Sequence, residues 1–126
     1  MILNATSATF AAQVNAAIAG QTVCLATGDY GTWTGTNKAI TIKAADGATP
    51  QMKVNFDAGD SSFTLDGMTE MGGFINGSSN ITIKNSKFSR ASCYSTGCLR
   101  IEGATSNVII DNNDFSFPNW RYLRWC

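Results

Sequence analysis

Four charged residues in the C-terminal half of the sequence could perform acid–base chemistry. Arg100 and Glu102 lie two residues apart in a strand-like segment, and Lys84 and Arg90 precede them. Removing a proton beside a carboxylate requires a base near that proton and a cation or metal ion that neutralises the carboxylate. Arg100 and Lys84 could supply these functions. A salt bridge from Arg100 to Glu102 or to a neighbouring strand is the simpler interpretation, so the catalytic residues stay unknown.

A second group has the oxygen ligands that calcium prefers, namely Asp111, Asn112, Asn113 and Asp114. Roles in a turn and in a strand explain most of this group, so we expect no cofactor, with calcium as an open alternative and no other metal. The sequence contains no histidine. This excludes Ser-His and Cys-His mechanisms and most zinc sites.

Charge and hydropathy exclude two kinds of partner. Nine basic and nine acidic residues balance to a net charge of zero, so nothing steers the chain toward nucleic acid or an anionic membrane. No apolar run approaches the roughly 20 residues of a membrane span. Met1 is not followed by a basic segment and a long apolar stretch, so the sequence has no signal peptide.

An internal repeat is the strongest structural signal in the chain. Four stretches align without gaps, beginning at Lys38, Ser61, Ser79 and Ser106: KAITIKAADG, SSFTLDGMTE, SNITIKNSKF and SNVIIDNNDF. In each stretch two apolar residues flank one position, and strand alternation directs both of them inward. These pairs are Ile40 and Ile42, Phe63 and Leu65, Ile81 and Ile83, and Val108 and Ile110. The last two stretches also share an inward aromatic residue, Phe88 and Phe115.

The residue two positions after each pair should form a sharp turn. Gly and Asn best tolerate the left-handed conformation that such a turn requires. These positions hold Ala44, Gly67, Asn85 and Asn112. The repeat predicts an all-β, parallel β-helix of about four rungs at residues 21–116. A helix at residues 7–20, capped by Ser7 or Thr9 and ended by Gly20, precedes the rungs within a single domain of residues 1–126. At helical spacing its apolar stripe, which should pack on the rungs, is Phe10, Val14, Ala17 and Ile18.

Outward residues of the repeat should form two rows along the β-helix. One row contains Thr41, Thr64, Thr82 and Ile109, and the next contains Lys43, Asp66, Lys84 and Asp111. These rows could contact a polysaccharide, together with Arg90, Arg100 and Glu102. Alternatively they form a register-holding ladder in which opposite charges attract. A threonine row also suggests ice binding, but a row that ends in Ile109 gives thin support.

The same residues resemble a known family. The run FAAQVNAAIAGQTVCLATGDYGTW, followed by KAITIKAADG, is similar to the N-terminal cap and first rung of pectate-lyase-like right-handed β-helix proteins. It is closest in style to the alginate lyase and chondroitinase B group. The positions that match its order of segments are Gly20, Thr22, Val23, Leu25, Gly28, Tyr30, Ile40, Thr41 and Ile42.

The resemblance implies a secreted, extracellular protein associated with polysaccharides. Lyases of that group hold their metal ligands and base on later rungs, so no catalytic residue can be transferred to this sequence. We therefore expect a polysaccharide-binding domain that lacks a complete catalytic site, or the N-terminal piece of a polysaccharide lyase. The alternative from another class is a structural, self-associating module without a ligand.

Cysteines and the C-terminal segment add two further expectations. Cys93 and Cys98 enclose a tight loop and are expected to form a disulfide in an oxidising compartment. Cys24 and Cys126 should be too far apart to pair. The tail, residues 117–126, is rich in aromatic residues, and it should cover the last rung or mediate a homodimer. Its candidate contact residues are Trp120, Tyr122, Leu123 and Trp125.

Overall fold

A computed structural model describes residues 2–88 and 98–115 of the chain. It contains one helix, α1 (Phe10–Ala16), and ten strands. In chain order the strands are β1 (Ile2–Ala5), β2 (Thr22–Leu25), β3 (Gly28–Trp33), β4 (Thr41–Ala44), β5 (Pro50–Phe56), β6 (Thr64–Asp66), β7 (Glu70–Asn76), β8 (Ser79–Lys84), β9 (Leu99–Glu102) and β10 (Ser106–Asp111).

The strands form two parallel sheets that define a β-solenoid of about four turns. The first sheet, here sheet A, has the order β1-β2-β4-β6-β8-β10, and the second, sheet B, has the order β3-β5-β7-β9. The chain therefore alternates between the sheets after β1, and each strand pairs with strands of the adjacent turns. This confirms the parallel β-helix predicted from the repeat.

Alternation along the strands of sheet A produces the apolar interior. Ile42, Leu65 and Ile83 occupy the same register position on β4, β6 and β8, and all three are fully buried. Ile110 follows in the same row on β10 and is partly buried against the core. Because a strand exposes alternate residues to opposite faces, this row also determines which residues point outward.

An aromatic cluster fills the interior near the N-terminal turns. The Trp33 ring lies 5.5 Å from the Phe56 ring and 4.9 Å from the Phe63 ring, measured between centroids. Phe10 of the helix contacts Trp33 edge-on at 5.5 Å and Tyr30 at 5.4 Å. Such edge-to-face pairs stabilise a core beyond simple burial of apolar area. Through Phe10, the helix is joined to the core of the solenoid.

The N-terminal region differs from the expectation in two respects. Strand β1, which the sequence analysis did not predict, pairs with β2 and adds a strand to sheet A. The helix is also shorter than predicted, because Ala17 already has extended backbone angles. Phe10, Val14 and Ala17 are buried as predicted, but Ile18 is 66% exposed. Thr9 is the N-cap residue, although its side chain makes no capping hydrogen bond.

Turns at the end of sheet A strands follow the predicted rule with one exception. Gly67, Asn85 and Asn112 have φ angles of 87°, 51° and 52°, in the left-handed region. Ala44 is not among the residues with positive φ, because it continues β4 and the turn is made at Gly47, where φ is 74°. The prediction was therefore wrong for Ala44 alone.

Several predicted residues lie outside the described part of the chain. These are Arg90, Cys93 and the tail residues Trp120, Tyr122, Leu123, Trp125 and Cys126. No disulfide joins two described cysteines, and Cys24 is a free thiol. The Cys93–Cys98 bond and the tail contacts therefore stay predictions. None of the helical structure in residues 2–88 and 98–115 is long and apolar enough to cross a membrane.

Candidate ligand-binding faces

The threonine row lies on the outer face of sheet A. Thr41 pairs with Thr64, Thr64 with Thr82, and Thr82 with Ile109. The three threonines are partly exposed, and Ile109 is 56% exposed. Parallel pairing places successive members about 4.8 Å apart. No hydroxyl of this row bonds to another described residue, so these groups are available to solvent or to a ligand.

The charged row lies beside it in the predicted register. Lys43 pairs with Asp66, Asp66 with Lys84, and Lys84 with Asp111. The predicted attraction between these charges does not produce salt bridges, because Arg100–Glu102 is the one ion pair between described residues. Asp66 Oδ1 instead accepts a hydrogen bond of 2.9 Å from the side-chain amide of Asn85. Both lysine ammonium groups of the row thus lack a protein partner within the described residues.

An asparagine ladder runs along the corner that ends sheet A. The Asn112 amide donates to Asn85 Oδ1 at 2.6 Å, and Asn85 donates in turn to Asp66. Asn113 Oδ1 accepts from the Ser86 backbone N–H at 2.9 Å, and its amide donates to Ile83 O at 2.9 Å. A groove of about 350 Å³ lies over this corner. Its polar groups already serve the turns, so this corner supports the fold.

The same contacts bear on the calcium alternative. Asn112 and Asn113 use their side chains in the ladder, and the Asp114 backbone pairs with the Ser86–Phe88 segment. Within residues 2–88 and 98–115, no group of three or more Asp, Glu, Cys or His side chains is positioned to hold a metal ion.

Arg100 and Lys84, the candidate lyase pair, lie on different sheets. Arg100 is on β9 of sheet B, whereas Lys84 is on β8 of sheet A. Arg100 Nε lies 2.8 Å from Glu102 Oε2, which is the salt bridge that the sequence also allowed. The two cations are therefore not presented together on one face of the solenoid.

A groove on the outer face of sheet B was not anticipated. It has a volume of about 320 Å³ and is lined by β3, β5 and β7, with Asp29, Thr32, Gln51, Lys53 and Glu70 as its polar side chains. The outward direction of some lining residues was predictable from the sequence. In β5 the buried residues Met52, Val54 and Phe56 alternate with outward Gln51, Lys53 and Asn55. Sheet B has no gapless repeat, so the sequence did not predict that these outward residues form rows.

Two titratable groups among the described residues have shifted pKa values: Asp60, between β5 and β6, and Tyr30, within β3. Partial burial raises the pKa of Asp60, which Asp57 raises further by charge repulsion, while a hydrogen bond from the Asp57 backbone opposes the shift. Burial also raises the pKa of Tyr30, whose hydroxyl donates to Ala26 O at 2.7 Å. Neither group lines the outer faces described above.

The architecture defines the class of this protein as a parallel β-solenoid. No protein-family model, curated protein or solved structure shows significant similarity to the chain. Any function must therefore be argued from the faces themselves.

Proposed function

We propose that this protein is a pectate-lyase-like, right-handed β-helix that binds polysaccharide along the outer face of sheet A and lacks a complete catalytic centre. The observation that supports the proposal is the pair of in-register rows, Thr41 to Ile109 and Lys43 to Asp111. The handedness follows the rule that crossovers between parallel strands are right-handed.

Free polar groups at a regular spacing suit an extended sugar chain. The threonine hydroxyls can donate and accept, and the lysines can donate to sugar oxygens. Neither lysine is held by a protein carboxylate within the described residues. Hydrogen bonds from the protein to ligand hydroxyls would therefore replace bonds to water rather than break existing contacts.

Separation of the candidate chemical groups argues against cleavage by this chain. Arg100 is bound to Glu102 on sheet B, and Lys84 is on sheet A. A lyase needs its base and its carboxylate-neutralising cation at one bound sugar. We expect binding without release of unsaturated products.

A binding assay with matched lysine variants tests the proposal. The full chain is titrated with a panel of soluble polysaccharides, and the best ligand is compared with a Lys43→Ala, Lys84→Ala double variant. Hydrogen bonds from charged groups contribute about 1.5–3 kcal/mol each, so affinity should fall at least about tenfold. The exposed Lys87, which is outside both rows, provides the control Lys87→Ala.

Two outcomes would contradict the proposal. If the double variant binds the polysaccharide with unchanged affinity, the lysine row of sheet A is excluded as the binding face. Release of unsaturated sugar that is lost in Arg100→Ala would show a catalytic site. Repeating the titration with calcium and with a chelator tests the expectation that binding needs no cofactor.

An apolar surface on the last described turn favours a second candidate function, self-association. Ile101 at the end of sheet B is 46% exposed, and Phe115 is 43% exposed although it stacks on Phe88 at 4.4 Å. Strands β9 and β10 each pair with one other strand among the described residues. Open strand edges and apolar side chains favour pairing with another chain.

The proposed partner is a second copy of this chain, joined through the C-terminal end with Trp120, Tyr122, Leu123 and Trp125. Sedimentation should show a dimer for the full chain and a monomer for Ile101→Ser. Ile109→Thr, on the outer face of sheet A, should leave the dimer intact. A monomeric full chain would indicate that the tail covers the last turn of its own molecule.

The proposal also covers the cellular location of the protein and the pairing of its cysteines. We place the protein outside the cell, where a Cys93–Cys98 bond would form. Peptide mapping without reductant should recover this linkage, and a Cys24–Cys126 linkage within one chain would contradict the proposed path of the tail.

A further inference from the structure

The groove on sheet B is produced by an irregularity in β3. Asp29 pairs with Gln51 and Thr32 with Lys53, so β3 has one more residue than β5 between these pairs. This is a β-bulge, which bends a strand and redirects its side chains. Gly31 within the bulge has a φ of 63°, and its N–H donates to Asp29 Oδ1 at 2.9 Å.

Two carboxylates line this groove, one on either side of Gln51. Asp29, Gln51 and Glu70 form one row across β3, β5 and β7. At about 4.8 Å per strand, the outer two backbones are roughly 9.6 Å apart, with the Gln51 amide between them. Gln51 and Glu70 point outward, because their chain neighbours Met52 and Met71 are fully buried, and Asp29 is itself exposed.

The groove has an excess of negative charge, and most of its charged and amide groups are not bonded to other described residues. Glu70 and Asp29 contribute two negative charges and Lys53 one positive charge, which leaves a net charge of −1. None of the three forms an ion pair with a described residue. The Asp29 carboxylate accepts the hydrogen bond from Gly31 N–H. The side chains of Gln51, Lys53 and Glu70 form no hydrogen bond with a described residue.

This combination selects a ligand by charge and by hydrogen bonding. A volume of about 320 Å³ lies in the lower range of small-molecule sites. The carboxylates of Asp29 and Glu70 can accept hydrogen bonds from ammonium and hydroxyl groups, and charge-assisted bonds of this kind are the stronger ones. A uronate would instead place a third carboxylate between Asp29 and Glu70, which like-charge repulsion disfavours.

We infer that this groove is a binding site for an amino sugar, whose ammonium group is bound by the carboxylates of Asp29 and Glu70. Gln51 bonds to a neighbouring hydroxyl, and Lys53 opposes the bound charge from the edge of the groove. The site is on the opposite sheet from the rows of the proposed function, and it does not depend on them.

Titration calorimetry at low ionic strength tests the inference with three probes. These are a tetramer of glucosamine, its N-acetylated counterpart and a tetramer of galacturonic acid. The full chain should bind the glucosamine tetramer at least about tenfold more tightly than the acetylated one, because acetylation removes the ammonium group. The galacturonate tetramer is titrated into the Lys43→Ala, Lys84→Ala variant, so that binding to the rows of sheet A does not contribute, and it should not bind in the groove. Absence of glucosamine binding, or equal affinity of that variant for the uronate, would overturn the inference.

Charge variants with opposite expected effects keep the test independent of folding. Glu70→Gln should weaken glucosamine binding about tenfold or more, whereas Lys53→Gln should strengthen it, because it removes the like charge. Asp46→Asn removes the same charge in an exposed turn that neither lines the groove nor belongs to the rows of sheet A, and it should leave this affinity within about twofold. The inference would be overturned if Glu70→Gln and Lys53→Gln changed the affinity for the glucosamine tetramer in the same direction. It would also be overturned if a lysine tetrapeptide bound the groove as tightly as the glucosamine tetramer and displaced it.

The lysine variants on sheet A separate this result from the proposed function. If the Lys43→Ala, Lys84→Ala variant loses a polysaccharide ligand while Glu70→Gln binds glucosamine as the unchanged protein does, the inference fails and the proposed function stands. The reverse pattern would support the groove alone.

Discussion

Asparagine side chains perform two roles at the corners of this solenoid. Asn85 and Asn112 adopt left-handed backbone angles, and their amides link successive turns. A second pair, Asn80 and Asn107, does the same at the second position of β8 and β10, with φ of 56° and 52° and a 3.1 Å bond between the side chains. The first pair was predictable from the repeat. The second recurred in the same alignment, but a left-handed residue within a strand has no comparable sequence rule.

Asp60 should make stability depend on pH in an identifiable direction. Burial raises its folded pKa above the ordinary value of an aspartic acid. The stability associated with its protonated form is therefore complete below the unfolded pKa and is lost as pH rises through the folded pKa. An Asp60→Asn variant stays neutral, and its amide oxygen can still accept the bond from Asp57 N.

Urea unfolding from about pH 3 to pH 6 measures this dependence. The free energy of unfolding of Asp60→Asn, relative to that of the unchanged protein, should rise across the range. Asp46→Asn, in an exposed turn, removes the same charge at another corner and serves as the control. Parallel curves for Asp60→Asn and the unchanged protein would contradict the direction of the shift.

At the scale of strands and helices, repetition determines what the sequence could predict. Strands β4, β6, β8 and β10 follow the gapless alignment, and their register agrees with it residue by residue. Strand β1 was missed because its four residues have no counterpart in the repeat. The helix was extended too far because Ile18 continues the apolar stripe, whereas the backbone leaves the helix at Ala17.

Sheet B was less predictable because its register includes an irregularity. An extra residue in β3 has no signature in side-chain type, apart from Gly31 in a strand-like segment. The groove depends on that residue, so alternation alone could not locate it. The rows of sheet A were predictable in position, but the absence of salt bridges was not, because the competing Asn85 amide comes from the neighbouring turn.

Close approach between β5 and β7 makes Gly73 the most demanding glycine of sheet B. Its φ is 140°, and a Cβ atom there would overlap the carbonyl oxygen of Val54. Gly73→Ala should reduce the free energy of unfolding by about 3 kcal/mol or more, since overlap adds to backbone strain. Gly47 also has positive φ, but a Cβ there meets nothing within 4 Å.

The matched variant Gly47→Ala should therefore cost only about 1–2 kcal/mol. Urea unfolding of both variants provides the comparison. Equal losses would show that backbone conformation, rather than the Val54 contact, dominates at Gly73.

At the scale of the molecule, both proposed binding regions follow from one arrangement. Parallel sheets align each outward residue with its counterpart on the next turn, so a single residue type becomes a row. Sheet A uses this regularity in its threonine and charged rows, and sheet B departs from it at the bulge. The two outer faces are therefore chemically different, which is the basis for assigning them different ligands.

Pairing only between adjacent turns also has a kinetic consequence. A strand in the middle of sheet A, such as β4, is hydrogen-bonded on both sides, and the aromatic cluster of Trp33, Phe56 and Phe63 lies in the same region. Amide protons there should exchange with deuterium most slowly, and protection should decrease toward β9 and β10. Mass spectrometry of peptides from labelled protein would resolve this gradient. Uniform protection would mean that the turns open as one cooperative unit. A gradient would mean that the molecule can lose its last turns while its first turns stay folded.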